Sequence, residues 1–135
     1  MLGMPDVFQQ SINLHRKHHG KLAISLSIPV HDKADLSLVY TPGVAGPSKA
    51  IYDNPDLSYD LTWRGRTVAI VSDGSAVLGL GNIGPEAALP VMEGKALLLK
   101  KFANVDAVPL VVASQEVSEI VKFVKMIAPS FAGVS

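Results

Sequence analysis

Two continuous apolar runs, Thr67 to Ser72 and Ala107 to Ala113, flank a long stretch of helical spacing, Pro85 to Phe102, and this order constrains the fold more than any other feature. A short apolar run without alternation reads as a strand buried on both faces. Two such runs joined by a helix read as parallel neighbours, since the helix must return the chain to the starting edge of the sheet, and a right-handed crossover is expected. Gln115 to Ala128 then repeats apolar residues at Val117, Ile120, Val121, Val124 and Ile127, the stripe of an amphipathic helix. Pro129 to Val134 reads as the start of another strand, inside which the chain stops. The expected class is α/β: an amino-terminal helical and strand segment, then β-α-β-α with a small, largely parallel sheet, truncated at its carboxyl end.

Ahead of this unit, Val7, Phe8 and Ile12 recur at helical spacing after Pro5 or Asp6, and Gly20 offers a stop, so a helix is expected from Asp6 to His19. Leu22 to Ile28 alternates large apolar with small residues up to Pro29, the period of a half-buried strand. Asp35 is placed to cap a helical turn leading to Tyr40, and Pro42, Gly43, Gly46 and Pro47 break any regular element there, leaving Tyr40 at a structural corner. Ala45 to Tyr52 reads as a short helix closed at Asn54-Pro55, because the residue before proline disfavours helical angles. At 135 residues the chain fits one domain, 1–135, able to bury a core without staples.

Composition acts by exclusion. Twelve Lys and Arg balance twelve Asp and Glu, which gives no electrostatic case for nucleic acid or an anionic membrane. Cysteine is absent, so no disulfide or thiolate framework is available. The basic run His15 to Lys21 reads as a solvated helix end, where cations favour the carbonyl terminus. No opening segment has the pattern of a signal peptide and no apolar run is long enough to span a bilayer, so a soluble cytoplasmic protein is the expectation.

One charge breaks the helical pattern. At ~100° of rotation per residue, Ala88, Val91, Met92, Leu98 and Leu99 fall within roughly 60° of Lys95, which places the lysine on the apolar stripe. Glu86, Glu93 and Lys100 fall roughly 140° to 180° away, where a solvated charge belongs. A lysine centred on a buried stripe snorkels outward, pairs with an anion, or loses its proton, and periodicity leaves all three open. Gly94 beside it permits close approach of a backbone or ligand. Pro90 lacks the amide that would bond Glu86, so the helix is expected to kink or restart there.

Gly79, Gly81 and Gly84 formally satisfy G-x-G-x-x-G between a strand and a helix. A dinucleotide fingerprint follows its strand almost directly, whereas Asp73 to Leu78 intervenes here and the acidic Asp106 precedes the second apolar run instead of ending it. A structural or substrate-adjacent role for the glycines is the stronger expectation.

The blocks Val39-Tyr40-Thr41-Pro42-Gly43-Val44-Ala45, Ser72 to Gly84, and Met92-Glu93-Gly94-Lys95-Ala96 closely resemble, in this order, the amino-terminal catalytic domain of malic enzymes, over about His15 to Val134. The resemblance implies oxidative decarboxylation of malate to pyruvate and CO2, with NAD or NADP and Mg2+ or Mn2+ in the complete enzyme. It implies that Tyr40 and Lys95 are the catalytic pair: the lysine removes the proton of the substrate's C2 hydroxyl as hydride leaves, and the tyrosine delivers a proton to C3 of the enolpyruvate. It further implies a homodimer, in short members with sites built from two subunits. Ala76 stands where larger members carry an arginine that holds a substrate carboxylate, which is similar to the short bacterial form, and Asn82 stands where many carry aspartate. The family's metal ligands and dinucleotide domain lie beyond the positions present, so no metal or cofactor-binding residue is assigned and this chain alone is expected to be inactive. Two other readings stay open: a non-catalytic dimerisation or interaction domain, and an isolated nucleotide-binding module resting on Gly79, Gly81 and Gly84.

Overall fold

The computed structural model describes residues 4–135; residues 1–3 of the opening segment lie outside the described residues. In chain order the regular elements are α1 (Met4–His18), α2 (Lys33–Val39), α3 (Ala45–Asp53), α4 (Ser58–Leu61), β1 (Thr67–Ser72), α5 (Gly84–Ala103), β2 (Asp106–Val111), α6 (Val117–Ile127) and β3 (Gly133–Val134). Short 3-10 turns at Pro55–Leu57, Trp63–Gly65 and Ala128–Ser130 complete the path.

The sheet is parallel and three-stranded in the order β2-β1-β3, so the apolar run Thr67 to Ser72 becomes its centre. β1 pairs with β2 in register from Thr67 opposite Asp106 to Ser72 opposite Val111. Pro109 is tolerated in β2 because that strand lies at an edge, where a missing amide removes no ladder bond to a further strand. Helix α5 crosses over between the two strands and packs on both. Its contact is made by small residues, Ala88 and Ala96, which are buried with Ala69 and Ile70 of β1. Small side chains let the helix axis approach the sheet, and the helix continues through Pro90 without the expected restart. Asn104 closes it in a left-handed conformation, φ 53°, its amide bonded to the carbonyls of Leu99 and Lys100.

β3 is held by more than its two residues. The Ala132 amide donates to the Thr67 carbonyl at 2.8 Å, the Ser135 amide to Ala69 at 2.8 Å, and the Val71 amide to the Ser135 carbonyl at 2.9 Å. Buried Phe131 meets Trp63 at a ring-centroid distance of 5.9 Å, a contact worth about 0.5–1.5 kcal/mol beyond its area. Arg64 lies over the Tyr59 ring at 4.3 Å and donates to the Ser58 hydroxyl at 2.9 Å and the Phe131 carbonyl at 3.4 Å.

Two amino-terminal expectations need correction. No strand forms over Leu22 to Ile28: the segment is irregular, with Ile24 and Leu26 97% and 82% exposed. Alternation prepares a strand, but a strand needs a neighbour to bond its backbone, and the sheet stands elsewhere. The cap of α2 is Asp32, not Asp35. The Asp32 carboxylate accepts from the Asp35 amide at 2.8 Å, while Asp35 reaches back to the His31 amide at 3.0 Å, a reciprocal cap. By contrast, α3 ends at Asn54 in the extended conformation that Pro55 imposes.

Candidate active site

Lys95 sits on the fourth turn of α5, on the side of the sheet where Ser135 follows β3. Its Nζ donates to the Ser135 hydroxyl at 2.7 Å. The lysine was expected at the centre of a buried stripe, yet it is exposed, and so are Val91 and Leu98 beside it. The helical arithmetic still holds in part: Ala88 is buried and Met92 and Leu99 are half-buried, while no strand pairs outside β3 among the described residues. Of the three options left by periodicity, the side chain reaches outward to a neutral hydroxyl.

Tyr40 ends α2 at the expected corner. Its amide closes the helix onto the Leu36 carbonyl at 2.9 Å, its own carbonyl accepts from the Val44 amide at 2.6 Å, and a cis Thr41-Pro42 peptide follows. The ring is 67% exposed, and its hydroxyl makes no hydrogen bond among the described residues. Within this chain no hydrogen bond joins Tyr40 to Lys95 among the described residues. The structure brings Lys95 to Ser135 and gives Tyr40 no hydrogen bond to either among the described residues.

The glycine block folds back on itself. The Gly74 carbonyl accepts from the amides of Ile83 and Gly84 at 3.1 and 3.2 Å, closing the excursion between β1 and α5 at its neck. Gly74 has φ 71°, and a Cβ there would lie 1.9 Å from the Gly84 carbonyl oxygen, so the neck admits only glycine. Beyond it, Val77 and Gly81 exchange backbone bonds at 2.8 Å and form a small antiparallel tip whose Leu78 is fully exposed. A phosphate-binding turn directs free helix-terminal amides at its ligand; here the first of them, that of Gly84, bonds the neck. Asp106, at the opposite end of the sheet from the carboxyl ends of the strands, is engaged by Arg66 at 3.3 Å and Lys100 at 2.9 Å.

Two side-chain pairs near this loop were not legible in sequence. Asn82 and Gln115 form a reciprocal amide pair at 3.1 and 3.0 Å, tethering the glycine block to the turn after β2. The Asp73 carboxyl is held below the ordinary aspartate range, first by the Ser75 hydroxyl and then by the Ser75 amide, at 2.7 and 2.9 Å. A cavity of about 300 Å3, lined by Val112, Ala113, Ser114, Glu119, Ile120 and Phe123, opens beyond β2, and neither Tyr40 nor Lys95 lines it. Among the described residues no group of three or more His, Asp or Glu side chains could hold a metal ion, so these residues do not fit the divalent metal that the resemblance implies.

Residues 19–123 match the family model for the malic enzyme N-terminal domain, a span that contains Tyr40, the glycine block and Lys95. The chain belongs to the malic enzyme family. It is 51% identical over 127 residues to the bifunctional malic/malolactic enzyme of Bacillus subtilis strain 168, covering 94% of this chain and 31% of that protein. It is 54% identical over 116 residues to the NAD-dependent malic enzyme of Geobacillus stearothermophilus, covering 86% of this chain and 24% of that one. The crystal structure of the malic enzyme of Pyrococcus horikoshii superposes with a TM-score of 0.92 at 45% identity, over 95% of this chain and 30% of the other. The chain thus spans about a third or less of these malic enzymes, and the α/β arrangement with a small parallel sheet is the fold of the corresponding part.

Proposed function

We propose that these residues are the amino-terminal domain, 1–135, of a short bacterial-type malic enzyme that oxidises and decarboxylates malate to pyruvate and CO2 with NAD or NADP. The observation that carries the reading is that the Tyr40 and Lys95 blocks both fall inside the span matched by the family model. In this reading Lys95 takes the proton from the C2 hydroxyl of malate as hydride leaves for the nicotinamide, and Tyr40 returns a proton to C3 of the enolpyruvate. An exposed lysine held, among the described residues, only by a neutral hydroxyl is free to exchange that hydroxyl for the substrate's. No step is assigned to a metal held by the described residues; Mg2+ or Mn2+ and the dinucleotide would be bound by other parts of the complete enzyme. The chain alone is accordingly proposed to be inactive, and the enzyme to be cytoplasmic; no helix among the described residues is long and apolar enough to cross a membrane.

A homodimer accompanies this reading. Large apolar side chains stand exposed along α1 and the following arm, including Phe8, Ile12, Ile24 and Leu26, and such side chains concentrate where a partner covers them. Sedimentation of the complete protein checks it, and a monomer at assay concentration would remove it.

The test of function uses the complete enzyme with malate, manganese and each nucleotide. Lys95→Ala is expected to lower the rate by about 100- to 10,000-fold, and Tyr40→Phe to slow proton delivery to C3 within the same range. A Lys95→Ala enzyme that reduces dinucleotide at the parental rate would end the assignment.

A further inference from the structure

The junction after α1 is fastened to α5 just ahead of Lys95. Gly20, at φ 96°, comes so close to Glu93 that a Cβ would lie 2.8 Å from a carboxylate oxygen. The next amide, that of Lys21, donates to Glu93 Oε2 at 2.8 Å, and the Lys21 ammonium donates to the Pro90 carbonyl at 2.9 Å. Lys21 Nζ also meets His15 Nε2, while His15 Nδ1 lies 2.7 Å from the Ser11 carbonyl. A carbonyl only accepts, so Nδ1 carries the ring proton and Nε2 offers its lone pair to the ammonium. His15, Gly20, Lys21 and Glu93 are half-buried, which corrects the expectation of a solvated Glu93, while Arg16 to His19 of the basic run are exposed as expected.

The place of attachment matters. Pro90 has no amide, so the carbonyl of Glu86 loses its intrahelical partner and α5 is weakened at the turn that ends at Pro90, just ahead of the turn that carries Lys95. The two bonds from Lys21 hold the chain immediately after that missing bond, at Pro90 and Glu93. We propose that Gly20, Lys21 and Glu93 form a latch that holds the Pro90 to Lys95 turn of α5 in register, making Glu93 and Lys21 positioning residues for the Lys95 amine. This rests on the general-base reading of Lys95. Glu93 acts as an acceptor for an amide, so its carboxylate charge is dispensable. Gly20 is needed because its φ of 96° strains any other residue and because a methyl group would push that acceptor aside.

The experiment compares Glu93→Gln, Glu93→Ala and Gly20→Ala in the complete, metal- and nucleotide-loaded enzyme, by steady-state kinetics and by hydrogen exchange of residues 90–95. Glu93→Gln keeps an acceptor oxygen and is expected to hold parental exchange and kcat within about twofold. Glu93→Ala and Gly20→Ala are expected to raise exchange in the turn and to lower kcat on the order of 10- to 100-fold, with KM for malate little changed, since misplacing a catalytic group by about 1 Å has that effect. Raised exchange with parental kcat overturns the positioning role, as does unchanged exchange in Glu93→Ala. Equal loss in Glu93→Gln and Glu93→Ala also overturns it, pointing to charge instead of position. The hydrogen-exchange arm reads the latch even if Lys95→Ala proves active, in which case the functional reading fails and not the latch.

Discussion

The Lys95 ammonium donates to the Ser135 hydroxyl at 2.7 Å, across a gap that sequence separation of 40 residues gives no reason to expect. Ser135 is there because its backbone extends the β3 pairing, donating to Ala69 and accepting from Val71 on the central strand. The lysine head is thus referenced to the sheet, and the helix that carries it is referenced to the same sheet through Ala88 and Ala96.

Removing that hydroxyl should loosen the amine without disturbing the ladder. In the complete enzyme Ser135→Ala is expected to lower kcat by about 3- to 10-fold, the scale of one net hydrogen bond, while Ser135→Thr retains activity. Steady-state kinetics with malate decide it; identical kcat for all three would show that the contact has no bearing on the reaction.

Thr67 is 1% exposed and its hydroxyl has no hydrogen-bond partner among the described residues. A buried oxygen without a partner keeps its desolvation cost, and a methyl group of the same shape removes it. Thr67→Val is therefore expected to stabilise the protein by about 1 kcal/mol, read as a raised denaturant midpoint at constant slope. A lowered midpoint would mean that the hydroxyl has a partner such as ordered water.

Asp73 supplies a pH dependence whose sign follows from its lowered pKa. The folded chain binds its proton less readily than the unfolded one, so the contribution is complete above the ordinary aspartate value and is lost as pH falls through the folded value. Ser75→Ala deletes the larger cause and should move the Asp73 midpoint up toward the ordinary value, with the stability difference from the parent shrinking on acidification. A carboxyl-resolved NMR titration checks this, and coincident midpoints in the two proteins would refute it.

The reciprocal pair of Asn82 and Gln115 gives a physical account of an asparagine where many family members carry aspartate. An amide both donates and accepts, whereas a carboxylate only accepts, so Asn82→Asp abolishes the bond to the Gln115 oxygen. The expected cost is about 0.5–1 kcal/mol, and in a double-mutant cycle with Gln115→Ala the two changes should fall short of additive. Strict additivity would show the pair to be uncoupled.

Much of this was written in local pattern. The continuous apolar run at Thr67 to Ser72 reads best as a buried strand and the stripe at Val117, Ile120, Val121, Val124 and Ile127 as a helix face, and both elements form. The blocks around Tyr40 and Lys95 carried the family, which the match over residues 19–123 bears out. What tertiary structure alone decided is what stands opposite each face. Leu22 to Ile28 has the alternation of a strand and no strand beside it. Lys95 lies on the predicted stripe yet is exposed and bonded to Ser135, and Glu93, on the face read as solvated, is gripped by Lys21. Periodicity fixes the direction in which a side chain points; burial and partnership depend on segments distant in sequence that fold against it, and no local pattern encodes their arrival.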